Sequence, residues 1–191
     1  MVISNVLAER YATSQSKDIW SEEGRVVKER ELWIAVMRTQ ARLGLDIPSE
    51  VIEKYERAKG EVDLESINRI EKRTRHDIKA RIEEFNRVAG IGANEQHAHK
   101  GMTSRDLSDN VEQMQILQSS NLIFGRYISV LRHMIERANE YGDIVIVGRS
   151  HHQAAQPITL GKRMSMWGQE QLLHLESFRD FIDRYPLRGM K

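Results

Sequence analysis

The chain has no cysteine, only three prolines and only four phenylalanines in 191 residues. Without cysteine, neither a disulfide framework nor thiol catalysis is available, and a reducing cytoplasm is an allowed setting. Few prolines, with abundant Glu, Arg, Leu and Ala, suit long uninterrupted helices. An excess of one charge is also lacking: 29 basic residues balance 28 acidic ones, for a net charge of +1. Such a balance gives no electrostatic footprint for nucleic acid or a membrane surface. No stretch approaches the length of a membrane span, and Met1 to Tyr11 lacks the apolar centre of a secretory signal. A cytoplasmic location is therefore expected. Internal repeats and low-complexity segments are absent as well. What remains is a 40% hydrophobic, 30% charged chain, with enough apolar material to bury a core.

The apolar spacing is helical almost throughout. Ser21-Glu22-Glu23 supplies an N-cap and first-turn acids, and Val26, Trp33, Met37 and Ala41 then recur on one face until Gly44. Pro48-Ser49-Glu50 opens a shorter helix that stops near Gly60, and Asp63 can cap a third. Ile78, Ile82, Phe85 and Ala89 form a stripe on a helix ending at Gly90. The segment from Gly90 to Met102 loses all periodicity and reads as a loop. From Leu107 to Ala138, steps of three and four residues continue without a break until Gly142, as expected for a long bundle helix. Ile144 to Val147 reads as an extended connector outside any sheet, followed by a polar loop over Gly148 to Thr159. A last helix from Leu160 ends at Tyr185-Pro186. The expected fold class is all-α: a helical domain over 1–102, then the first long helices of an elongated bundle over 103–191. Two long helices with half a core between them need partners, so the chain either oligomerises or is part of a longer bundle.

Three polar clusters lie at helix ends. Thr74-Arg75-His76-Asp77 sits at a helix start. Asp77 as an N-cap with a solvated Arg75 explains it structurally; a charge-oriented histidine beside an anion-binding helix terminus explains it functionally. The second cluster runs from His97 through His99, Lys100, Gly101, Thr103 and Ser104 to Asp106. Thr103 or Ser104 is a good N-cap, yet a cap does not account for two histidines, a lysine and a glycine before it. Two hydroxyls at a helix N-terminus suit a carboxylate or phosphate. The third cluster, Gly148 to Pro157, holds Arg149, Ser150, His151, His152, Gln153 and Gln156. Metal binding is the rival reading for so many histidines. However, no His-Glu-x-x-His or Glu-x-x-His pair is present, so neither a metal nor another cofactor is expected. A P-loop is absent too.

The motifs carry a resemblance. His99-Lys100-Gly101-Met102-Thr103-Ser104-Arg105-Asp106 resembles the His-x-Gly-x-Thr-Ser-x-Asp segment of the fumarase/aspartase superfamily. Gly148-Arg149-Ser150-His151, followed by Gln156-Pro157-Ile158-Thr159-Leu160-Gly161, is similar to its second conserved region, with Ser150 in place of threonine and His152 where many members have glycine. Arg10-Tyr11 and Arg75-His76-Asp77 resemble the adenylosuccinate lyase branch. The resemblance implies β-elimination of fumarate from adenylosuccinate and from the succinylated carboxamide intermediate of purine synthesis. It implies His151 as general acid, with His76 and His99 placing the substrate. Thr103 and Ser104 would meet a carboxylate, Arg10 and Tyr11 the nucleotide phosphate, and Arg75 and Asp77 would line the same site. It also implies homotetramers, and a general base lying beyond Lys191. An argininosuccinate-type or cycloisomerase-type relative, or a non-catalytic helical assembly module, are the other readings.

Overall fold

The computed structural model describes residues 5–190. Two compact units divide the chain, one formed by residues 1–116 with 186–191 and the other by 117–185.

The regular structure of the first unit is α-helical among its described residues, apart from a 3₁₀ turn at Ala93–Glu95. Two short helices come first, α1 (Val6–Tyr11) and α2 (Ser14–Trp20), capped by the side chains of Asn5 and Thr13. Helix α3 (Glu22–Arg42) begins where the Ser21 side chain accepts the Gly24 N–H at 3.0 Å. Helices α4 (Ser49–Ala58), α5 (Leu64–Thr74) and α6 (Asp77–Val88) follow, with Asp63 capping α5 as its sequence position suggests. The long helix α7 (Ser104–Glu140) contributes its first turns to this unit. The core is the set of faces read from the helical spacing: Trp33, Ile34 and Met37 of α3, Val51, Ile52 and Tyr55 of α4, Ile78 and Phe85 of α6, and Leu107 and Val111 of α7. Trp33 stacks on Phe85, their ring centres 6.1 Å apart, and Tyr55 tilts against the same ring at 4.8 Å.

A charged layer is buried beside this core. Arg30 and Glu84 are both fully buried and pair directly. Arg30 also donates to the carbonyls of Ala58, Lys59 and Glu61, and Glu84 accepts the Asp63 N–H at 3.0 Å. Two charges inside a core persist only when paired and further hydrogen-bonded, and these are. They tie the ends of α4 and α5 to α3 and α6.

The second unit holds the rest of α7, a β-hairpin and α8 (Leu160–Arg184). Here the sequence reading needs correction. Ile144 to Val147 is no isolated connector, and Gly148 to Thr159 is no loop. Strand β1 (Val145–Ser150) pairs antiparallel with β2 (Gln153–Thr159), Val145 opposite Thr159 and Ser150 opposite Gln153. The β-branched run over 145–147 finds its partner in Pro157-Ile158-Thr159, which the polar residues between them had disguised. Pairing shifts between Val147 and Arg149, and at this irregularity a Cβ on Gly148 would stand 2.7 Å from the Gln156 carbonyl oxygen. Helix α8 starts with Thr159 accepting the Lys162 N–H at 3.1 Å, and the helix stops before Pro186. Gly161 lets α8 approach the end of α7 closely: its N–H donates to the Tyr141 carbonyl at 2.8 Å, and a Cβ there would stand 2.8 Å from the Gly142 Cα. Helices remain the dominant structure, and the hairpin is the only sheet among the described residues.

Candidate active site

Each polar cluster proves to be a backbone corner. Among the described residues, four non-glycine residues have left-handed φ: Arg75 (52°), His99 (68°), His151 (47°) and His152 (63°). Left-handed backbone costs a residue with a Cβ about 1–2 kcal/mol, so surrounding structure must hold it. Such residues gather at functional sites more often than elsewhere. All four fall inside the polar clusters singled out from the sequence.

In the first cluster, Arg75 ends α5 and its N–H donates to the Glu71 carbonyl at 2.7 Å. The next residue starts α6, and here the structure amends the sequence reading. The N-cap is His76, not Asp77: the His76 Nδ1 accepts the Lys79 N–H at 3.3 Å, while Asp77 occupies the first turn. Asp77 lies 3.6 Å from His76 and 4.0 Å from Arg81. Arg75, His76 and Asp77 are all exposed.

The second cluster is the most heavily braced. Thr103 and Asp106 form a reciprocal cap: the Thr103 N–H donates to the Asp106 carboxylate at 2.7 Å, and the Thr103 hydroxyl oxygen accepts the Asp106 N–H at 3.4 Å. Thr103 is thus the cap of α7; Ser104 is its first residue, and both side chains face solvent. Behind this cap, Gly101 has φ 75°, and the Lys100 carbonyl accepts from the Gln40 side chain at 2.9 Å. The fully buried Tyr55 hydroxyl donates to Asn86 and meets the backbone of His97 and Ala98. His99 is half-buried, and its Nδ1 accepts the Trp33 indole N–H at 3.0 Å. Burial lowers the His99 pKa most; Asp106 opposes that, and His76 adds to it. Asp106 and His76 therefore both lie in the electrostatic neighbourhood of His99. His97 is lowered as well, first by burial and then by Lys100, whose ammonium is 3.4 Å from its ring.

In the second unit, His151 and His152 are the two residues of the hairpin turn, both exposed. Successive left-handed residues are the signature of a type I′ turn, whose twist matches the strands. The Arg149 side chain braces it by donating to the His152 carbonyl at 3.0 Å. Arg10 and Tyr11 close the short helix α1, and Tyr11 is 75% exposed. No hydrogen bond or ion pair joins either to His76 or His99 among the described residues.

The structure thus brings His76, His99, Thr103 and Asp106 into one region of the first unit. Two participants escaped the sequence reading: Trp33, taken only as core, and Asp106, quoted only within a motif. Trp33 lies 66 residues before His99, so no local spacing could link them. Among the described residues, no group of three or more His, Asp or Glu side chains stands close enough to hold a metal ion.

A lyase family profile matches residues 5–188. The chain belongs to this lyase family, within the fumarase/aspartase superfamily. Curated relatives agree with that placement. The adenylosuccinate lyase of Methanocaldococcus jannaschii is 34% identical over 173 residues, covering 90% of this chain and 37% of the relative. That of Caenorhabditis briggsae is 30% identical over 189 residues, covering 98% of this chain and 39% of the relative. The lyase chain thus spans under two fifths of the length of these relatives. Among solved structures, a fumarate lyase from Mesorhizobium superposes with a TM-score of 0.75 at 24% identity, over 92% of this chain and 42% of that one. The β-carboxy-cis,cis-muconate cycloisomerase of Acinetobacter calcoaceticus gives 0.74 at 19% identity, over 93% and 42%. At these identities the two structures establish the fold.

Proposed function

We propose that this lyase chain belongs to an enzyme that releases fumarate from adenylosuccinate, giving AMP, and from the succinylated aminoimidazole carboxamide ribotide. The observation that carries the reading is the coincidence of two independent facts. The relatives at 34% and 30% identity are both adenylosuccinate lyases. The four non-glycine residues in left-handed backbone all fall in or next to the motifs that resemble the superfamily, and one of them, Arg75, falls in a motif that resembles that branch.

The chemistry assigns roles. A C–H beside a carboxylate is weakly acidic, so the carbanion's extra charge must be spread onto that carboxylate and held there by donors. The Thr103 and Ser104 hydroxyls, exposed at the start of α7, are those donors, with the helix terminus beneath them. As the C–N bond breaks, the leaving purine nitrogen needs a proton, and His151 supplies it as general acid. His76 and His99 place the substrate, with Arg75 and Asp77 flanking His76. Arg10 and Tyr11 hold the nucleotide phosphate, the guanidinium as a charged fork and the phenol as a donor. No residue here is assigned as the base that takes the proton from carbon, so the 191 residues alone are inactive. The working enzyme is a cytoplasmic homotetramer that needs no metal or cofactor.

A second reading keeps the superfamily and changes the substrate, to a carboxymuconate of the kind named for a neighbour that shares the fold. One assay separates the two. Fumarate absorbance is followed with adenylosuccinate, and carboxymuconate consumption in parallel, for a polypeptide in which the chain is extended to the length of its relatives. Fumarate release that falls at least a hundredfold on His151→Ala, with nucleotide binding kept, is the expected result. Turnover of carboxymuconate alone would replace the purine substrate, and fumarate release by the unextended chain would overturn its inactivity.

A further inference from the structure

We infer that Trp33 is a positioning residue that holds His99 as the neutral Nε2–H tautomer, so that this imidazole acts as a fixed hydrogen-bond donor and not as an acid. The inference starts from donor inventory. An indole N–H can only donate, so the ring nitrogen it meets must offer a lone pair. The Trp33 N–H meets His99 Nδ1 at 3.0 Å, with the two rings edge-on at 83°. The single proton of the neutral imidazole therefore resides on Nε2. Adding a second proton requires Nδ1, and that would break the bond and leave the indole N–H without an acceptor. Trp33 is fully buried, stacked on Phe85 and unable to turn to water. His99 cannot easily swing away either. Its backbone is held at φ 68°, its carbonyl accepts the Met102 N–H at 3.2 Å, and the residues on both sides are tied down by Tyr55 and Gln40. His76 offers an instructive contrast. Its Nδ1 is also occupied by an N–H, that of Lys79, but on an exposed helix end where water replaces the bond readily. Only at His99 is the choice of nitrogen enforced from inside the core.

The substrate to which Nε2–H donates is that of the reading above, on which this step rests; the tautomer itself does not depend on it. Long-range proton–nitrogen NMR on the nitrogen-labelled chain tests the tautomer directly. The expected spectrum has a bare Nδ1 and a protonated Nε2 at His99, with scalar coupling from the Trp33 indole nitrogen across the hydrogen bond. In Trp33→Phe, the two tautomers should mix, and the His99 midpoint should rise towards the ordinary imidazole value of about 6.5. Should that variant fail to fold, the coupling in the unaltered chain still decides. A protonated Nδ1, a tautomer mixture without coupling, or a spectrum unchanged in a folded Trp33→Phe would overturn the proposal. Adding adenylosuccinate then tests the other reading separately. A shift at His99 Nε2 supports both, whereas a fixed tautomer that ignores the ligand upholds Trp33 and removes the substrate.

Discussion

At the scale of single residues, two consequences follow from the charges and rings buried in the first unit. Glu84 is the only carboxylate paired with the fully buried Arg30 among the described ion pairs. Its removal leaves the buried guanidinium with no directly paired carboxylate, Glu61 and Glu29 acting on it more weakly, so Glu84→Ala should cost about 3–5 kcal/mol. Urea unfolding followed by circular dichroism reads that loss, and a cost under about 1 kcal/mol would mean the pair is solvated. The second consequence concerns pH. Burial lowers both His97 and His99, so the unfolded chain binds their protons more readily than the folded one. Their contribution is therefore fully present above the unfolded value of about 6.5 and is lost as pH falls through that value towards the folded ones. Glu29, raised mainly by burial, acts in the opposite sense: its contribution is present below the unfolded carboxylate value and is lost as pH rises through its higher folded one. Stability should accordingly fall as pH drops below about 6.5, and a His97→Gln/His99→Gln double variant should flatten that slope. The polar residues themselves were legible in sequence because no periodicity claims them. The Trp33 partner was not, since it depends on a contact across 66 residues, and the left-handed angles were not, since none of the four residues that adopt them is glycine.

At the scale of elements, helices were readable where caps and spacing agreed. Ser21 and Asp63 cap the helices their positions suggested, and of Thr103 and Ser104 it is Thr103 that caps α7. Helices α1 and α2, at six and seven residues, are too short to show a period, and sequence reading passed over them. The hairpin was missed for a different reason. Tight turns of this type normally announce themselves with Asn-Gly or Asp-Gly, because both central residues need positive φ. Here His151 and His152 fill those positions, at 47° and 63°. That departure from turn chemistry costs stability, and it falls at the imidazole proposed above as the general acid. His152→Gly should relieve it and stabilise the hairpin by about 1 kcal/mol. Slower amide exchange over 145–159 would register the gain. Faster exchange would mean that the His152 side chain, not only its backbone, braces the turn.

Across the whole chain, the two units are built on very different amounts of core. The first buries Trp33, Ile34, Met37, Tyr55, Phe85 and Leu107 completely or nearly so. In the second, Leu131 and Leu175 are the only buried hydrophobic residues, while Ile123, Ile128, Ile135, Met166, Trp167 and Leu173 remain exposed. The 3.5-residue spacing read from Leu107 onwards fits this contrast, since it describes a stripe longer than the first unit can cover. A two-helix hairpin with so little buried apolar surface has little to offset the entropy of ordering it. Helix α7 passes from one unit to the other at residues 116 and 117, so a single helix carries the comparison. In dilute solution, amides of residues 107–115 should exchange at rates set by the core of the first unit, and those of 121–138 orders of magnitude faster. Raising the protein concentration should slow the second group selectively if other copies cover its apolar face. Equal protection along all of α7 in a monomer, checked by sedimentation on the same sample, would show that the second unit stands on its own contacts and needs no partner helices.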